Sequence, residues 1–134
     1  HFKPRENGTP MNLALWIVAG LLAAVFGVAG LMKLAQPKER LAAAGLAWTE
    51  DFSAGAVKAI GGLEVLAALG LILPATFGVV PILTPLAAAG LVIVMIGAAV
   101  THGRRGEHPA IAVNVVLLVL AAFVAWGRFG PHAF

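Results

Sequence analysis

Cysteine and tyrosine are both absent from the 134-residue chain. Without cysteine there is no disulfide, no CxxC redox pair, no thiolate metal site and no cysteine nucleophile. That also excludes passing electrons through cysteine pairs, as one type of small four-helix membrane enzyme does. Without tyrosine there is no phenolic acid or base. Charge is scarce as well: 11% of the residues are Asp, Glu, Lys or Arg, against about 25% in an average soluble domain. So little charge does not cover the surface of a soluble domain. Disorder is excluded too, because it requires low hydrophobicity and high net charge. No phosphate-binding loop, nucleophile triad or dinucleotide fingerprint is present.

What is present is apolar: 60% of the residues are hydrophobic. The chain therefore reads as a small integral membrane protein. The formal net charge of +3 and the pI near 10.0 do not signal nucleic acid here. Lys and Arg scattered along a membrane chain act as topology signals and lipid-headgroup contacts.

Residues 1–10, HFKPRENGTP, are polar and lack an apolar period. They are expected to be a cloning remnant, or else a short tail outside the membrane. The Asn7-Gly8-Thr9 match to a glycosylation acceptor is read as chance. Residues 11–128 are expected to form one transmembrane domain, followed by a short tail over 129–134. Leu13 to Met32 carries no charge over 20 residues, enough for a helix of about 30 Å, the thickness of a hydrocarbon core. That is too long for the apolar region of a signal peptide.

The expected spans are 13–33, 53–73, 77–101 and 109–127. Between Glu64 and Arg104 lie 39 uncharged residues, too many for one helix, and the LPATFG turn with Pro74 and Gly78 is expected to split them. Pro81 and Pro85 fall early in the third span, where a helix tolerates them. Pro109 suits the first turn of the fourth. Between the first and second spans, Arg40 to Trp48 is expected either as a short interfacial helix with Leu41 and Trp48 toward lipid, or as a solvated loop. The fold class is therefore all-α: a polytopic, antiparallel four-helix transmembrane bundle.

An even number of spans leaves both termini on one side. Six basic residues (Lys33, Lys38, Arg40, Lys58, Arg104, Arg105) lie toward the first and third loops, against three (Lys3, Arg5, Arg128) at the termini. The positive-inside rule then places loops 34–52 and 103–108 in the cytoplasm and both termini outside. Small residues recur on helical faces at Ala19–Ala23–Gly27, at Ala54–Lys58–Gly62 and at Gly90–Gly97, where helix backbones are expected to approach. Leu22 lies off the first of these faces and is expected toward lipid.

Glu64 is the outstanding residue for function. It falls near the middle of the second span, where an ionised, unpaired carboxylate is costly. It is expected to transfer protons, to anchor a ligand, or to pin two helices together. Lys58 is six positions away, about 240° around a helix, so Lys33 from the neighbouring span is the better partner. Lys58 is expected to reach the headgroups, as are Arg104 and Arg105. His102 closes the third span and Asn114 lies early in the fourth, at a similar depth. Lys33, Glu64, His102 and Asn114 thus come from four helices and are expected to converge on one intramembrane polar site. The spacing of His102, Glu107 and His108 fits no standard ligand pattern, so no metal site is expected.

Three segments, GLMKLAQP after the first span, GGLEVLAALGLILP in the second and AAVTHGRRGE after the third, resemble the DoxX-like family of small four-helix membrane proteins. The resemblance covers most of Met11 to Gly127. It implies a four-helix bundle with Lys33, Glu64 and His102 as characteristic polar positions. The family's name-giving branch is associated with thiosulfate:quinone oxidoreductase as a membrane subunit. Other branches are membrane proteins of unknown function, and some distant animal relatives assist receptor assembly. The segments match the DoxX-like branch better than the oxidoreductase subunit.

The first expectation for function is a non-enzymatic membrane module that binds a small hydrophobic ligand, a quinone or lipid, or docks a protein partner. The second is a membrane subunit of a quinone-linked oxidoreductase, exchanging protons with quinone while a redox-protein partner carries the electrons. The third is a small transporter acting as a homo-oligomer. Beyond membrane lipids, no nucleic acid partner is expected.

Overall fold

The computed structural model describes residues 10–134, and every described element is helical. Lys3, Arg5 and the Asn7-Gly8-Thr9 pattern lie outside the described residues, and Pro10 is the first residue of the first helix. Helix α1 spans Pro10–Ala35 and a short α2 spans Lys38–Ala43, followed by a 3₁₀ turn over Ala47–Asp51. Helices α3 (Ala54–Phe77), α4 (Leu83–Arg104) and α5 (His108–Phe129) complete the chain. Helices α1, α3, α4 and α5 are long and apolar enough to cross a membrane. Helices are the natural solution there, because each satisfies its backbone donors and acceptors internally.

The first short connection forms later than the sequence suggests. Helix α3 does not end before Pro74 but runs one turn further, to Phe77. Proline lacks an N–H, so the carbonyl of Gly70 loses its helical donor. Thr84 supplies a replacement from α4: its Oγ1 donates to the Gly70 carbonyl at 3.1 Å. The helix stops at Gly78, whose φ of +67° suits the left-handed cap. There the N–H of Val79 donates back to the Pro74 carbonyl at 2.8 Å, satisfying the last turn. Helix α4 accordingly begins at Leu83, not near residue 77, with Pro81 before it and Pro85 in its first turn.

The segment between α1 and α3 also differs from expectation. Arg40 to Trp48 is not one interfacial helix, because Gly45 at φ +108° breaks it in two. Leu41 is fully buried, which corrects its expected lipid-facing position, and Trp48 is half-buried with its ring beside Phe52 and His102. Lys38 ties the segment together by donating to the Phe52 carbonyl at 2.7 Å.

The core is formed by Leu22 and Phe26 of α1, Leu71 of α3, Ala88, Leu91 and Met95 of α4, and Ala121 and Val124 of α5. Leu22 is fully buried, which corrects its expected lipid-facing position. The tight helix contact is also displaced from the expected stripe. A Cβ on Gly27 would meet only Ala68 at an ordinary 3.7 Å, whereas one on Gly30 would meet the Gly61 carbonyl at 2.6 Å. A Cβ on Gly61 would in turn meet the Gly30 carbonyl at 2.8 Å. Here the backbones of α1 and α3 touch, as small residues permit in an apolar medium. Gly62, Gly90 and Gly97 have nothing within 4 Å of an added Cβ. No neighbouring helix therefore packs closely at Gly62, Gly90 or Gly97. Large apolar side chains such as Leu13, Leu66, Ile93 and Val116 cover the outside, as lipid contact requires.

Candidate functional site

The Gly30–Gly61 contact sets the site. Glu64 lies one turn after Gly61 on the buried face of α3, together with Val57, Ala68 and Leu71. Lys33 lies near the end of α1, and its Cβ would be 2.7 Å from a Cβ on Gly61. The bare glycine lets Lys33 lie flat on α3 and extend to Glu64. Its Nζ donates to Glu64 Oε1 at 2.8 Å, with both side chains buried. The ammonium also sits 5.7 Å from the Trp48 ring centroid, within cation–π range. Removing both charges from water is expensive, and a direct charge-assisted hydrogen bond offsets that cost.

Lys58 is exposed, about 240° around α3 from Glu64, and donates to the Leu34 carbonyl at 3.0 Å. It thereby satisfies an acceptor in the last turn of α1, where helix carbonyls lack partners.

The pair opens onto a cavity of about 520 Å³ between the helices. All four residues of the expected polar site, Lys33, Glu64, His102 and Asn114, line it, and so do Phe26 and Met95. Asn114 donates through Nδ2 to the Met95 sulfur at 3.6 Å, while its Oδ1 is buried without a partner. A thioether sulfur only accepts, which fixes the amide orientation. His102 contacts Glu107 from Nδ1 at 2.7 Å. An ionised carboxylate only accepts, so Nδ1 carries the hydrogen.

Sequence reasoning missed the cover of this cavity. Trp48 and Phe52 line it, with their rings 5.5 Å apart at 86°. The Trp48 ring lies 6.5 Å from that of His102. An electrostatic chain holds this cover to the α4–α5 turn. Arg105 Nη1 donates to Asp51 Oδ2 at 2.8 Å, and its Nε donates to Glu107 Oε2 at 3.1 Å. Glu107 also receives His102, so the chain runs from the cavity lining to the 3₁₀ turn. Arg105 is thus engaged within the protein and is not only a headgroup contact, whereas Arg104 is exposed. The one signal available in the sequence was the acid pair Glu50–Asp51 in one loop and the basic Arg104–Arg105 in the other.

His102 and Arg105 together hold the Glu107 carboxyl below its usual value of 4.5. Asp51 and Glu107 raise the Arg105 guanidinium above its ordinary value. A depressed carboxyl stabilises the fold above its unfolded pKa, and that contribution is lost as pH falls through the folded value. Between about pH 5 and pH 3 the wild type is therefore expected to lose more thermal stability in detergent than Glu107→Gln, which has no such proton to bind. Parallel melting curves for the two proteins across that range would show that the chain does not hold the cover.

Among the described residues no three His, Asp or Glu side chains are gathered to hold a metal ion. One buried cation lies far from the cavity. Arg128 near the end of α5 donates to Asn12 Oδ1 and to the His132 carbonyl, each at 2.8 Å. The sequence alone shows it only as one of the basic residues at the termini.

A model of the DoxX-like family matches residues 17–124. No curated protein and no solved structure matches the chain. The matched stretch begins within α1, ends within α5 and contains Lys33, Glu64, His102 and Asn114, but not Arg128. A four-helix apolar chain matched over most of its length is a membrane protein of known kind: it belongs to the DoxX-like family.

Proposed function

We propose that the protein is a non-enzymatic membrane module that holds a small hydrophobic molecule, a quinone or lipid, in the cavity between its helices. The observation that carries this reading is the cavity itself. It is about 520 Å³, within the range of ordinary ligand pockets at about 300–1,000 Å³. Its walls are mostly apolar and its polar groups are few and placed together, the pattern that seats an apolar body and orients a polar head. Lys33 uses one of its three N–H donors on Glu64, so it has donors for a carbonyl or hydroxyl oxygen. Trp48 and Phe52 line the cavity at the end where these groups lie.

The decisive experiment is mass spectrometry of the lipid extract from gently purified protein. A single hydrophobic species at stoichiometric amount is expected. If that species is a quinone, the module serves a quinone-linked partner; if it is one lipid, the module binds lipid. An unselective lipid mixture or an empty protein would overturn ligand binding and leave docking of a protein partner or oligomeric transport as the alternatives.

The orientation belongs to the same reading. Both termini lie outside, and loops 34–52 and 103–108 lie in the cytoplasm, so the covered end of the cavity faces inward. The support is the excess of Lys and Arg toward those loops. A reporter fused after Phe134 is expected to be active only outside the cytoplasm; activity inside would invert the orientation.

A further inference from the structure

The two ends of the bundle treat positive charge differently. At the cavity end, Lys33 has Glu64, and Arg105 has Asp51 and Glu107. At the other end Arg128 is only 4% exposed, yet no carboxylate among the described residues pairs with it. Its partners are neutral: the Asn12 side-chain oxygen and the His132 carbonyl, both on Nη1. Nη2 is buried and has no hydrogen-bond partner among the described residues. An unpaired charge in an apolar setting is costly, and intramembrane charges are rare without a counter-charge or a function.

The rings around Arg128 do not take this role. The guanidinium carbon lies 3.9 Å from the Phe134 ring centroid and 5.9 Å from that of Trp16. Aromatic rings interact with the faces of the cation, whereas oxyanions bind in its plane through the N–H fork. The fork is where Nη2 stands without a partner. Arg128 is also the second-last residue of α5, close to Trp16 and two positions after Trp126, a residue type that gathers at the headgroup level at the ends of membrane helices. Its cover is light. Residues 130–134 fold back on α5 through the His132 N–H to the Gly127 carbonyl, 2.8 Å, and the His132 ring against Trp126, and they reach α1 through the Phe134 ring against Trp16.

We propose that Arg128 is the centre of a second binding site, specific for a phosphate oxyanion, which enters from the interface when the tail over 130–134 moves aside. Nη2 and the Nη1 donor released from the His132 carbonyl bind two phosphate oxygens side by side. Planar, bidentate capture of this kind is what arginine does and lysine does not. The phosphate of an anionic phospholipid and a free inorganic phosphate share this chemistry.

A photoactivatable phosphatidylglycerol added to the detergent-purified protein tests the site, with labelled peptides mapped by mass spectrometry. The expected label falls on the segments carrying Trp16 and residues 126–134. It drops roughly tenfold in Arg128→Gln, the equivalent of one charge-assisted hydrogen bond lost. It rises in Phe134→Ala, which keeps the guanidinium and thins its cover. Displacement by unlabelled phosphatidylglycerol but not by inorganic phosphate assigns the site to lipid. Equal displacement by inorganic phosphate keeps the oxyanion site and assigns it to the free ion. Labelling that is confined to the Lys33–Arg105 end, or that Arg128→Gln leaves unchanged, overturns the proposal. Should Arg128→Gln fail to fold, unchanged labelling in Phe134→Ala overturns it equally.

Discussion

Glu64→Gln is expected to lower the thermal stability of the detergent-solubilised protein by about 3–5 kcal/mol, the usual consequence of removing one partner of a buried ion pair. The substitution keeps shape and hydrogen bonding but leaves the Lys33 ammonium, buried at 6% exposure, without its counter-ion. Lys33→Met in the same background is expected to restore much of the loss, because the pair is then removed together and the methionine stem fills the same space. Thermal melts of the wild type, both single mutants and the double mutant measure the coupling. Additive effects would mean that the 2.8 Å contact carries no net interaction. A Glu64→Gln protein that melts normally but comes through purification without its bound molecule would assign the carboxyl to ligand retention or proton transfer.

The second large effect belongs to the glycines beneath that pair. Gly30→Ala is expected to destabilise by about 1–3 kcal/mol or more, the range for overpacking a filled interior. The added methyl would sit 2.6 Å from the Gly61 carbonyl and 3.0 Å from the Val65 nitrogen. Both are backbone atoms, so a rotamer change gives no relief and α3 must move. Gly61→Ala is expected to behave similarly and to push Lys33 away from Glu64, so its effect is not additive with Glu64→Gln. Gly27→Ala is the control, since its methyl meets only Ala68 at 3.7 Å. Equal melting temperatures for Gly30→Ala and Gly27→Ala would show that α1 and α3 do not touch at Gly30.

The convergence of Lys33, Glu64, His102 and Asn114 on one cavity was legible because polar residues in an apolar run have few places to go. Depth along each helix follows from counting residues, and equal depth on four helices already suggests a common site. The 240° between Lys58 and Glu64 separated the lysine that reaches the carboxylate from the one that caps a helix end. The Trp48 cover was not legible. Whether Arg40 to Trp48 lies on lipid or folds inward depends on the break at Gly45 and on the Arg105–Asp51 bond, whose partners are 54 positions apart. The tie of Arg128 to Asn12, across 116 positions, was hidden for the same reason. The continuation of α3 through Pro74 needed a donor from another helix, Thr84, which no local pattern contains.

Composition and run length alone settle that this chain is an all-helical membrane protein with four apolar helices. Water, lipid and an unpaired backbone differ so much in free energy that no other arrangement of these residues is affordable. They do not settle which faces meet. Lipid tails are as apolar as leucine, so a side chain turned inward and one turned outward look alike in the sequence. Ala19–Ala23–Gly27 and Gly90–Gly97 were as good a helical stripe as the Gly30–Gly61 contact, and Leu22 looked as suited to lipid as Leu21. Only close packing chose between them. It placed Leu22 in the core and Leu21 outside, and it brought two glycine backbones together beneath the Lys33–Glu64 pair.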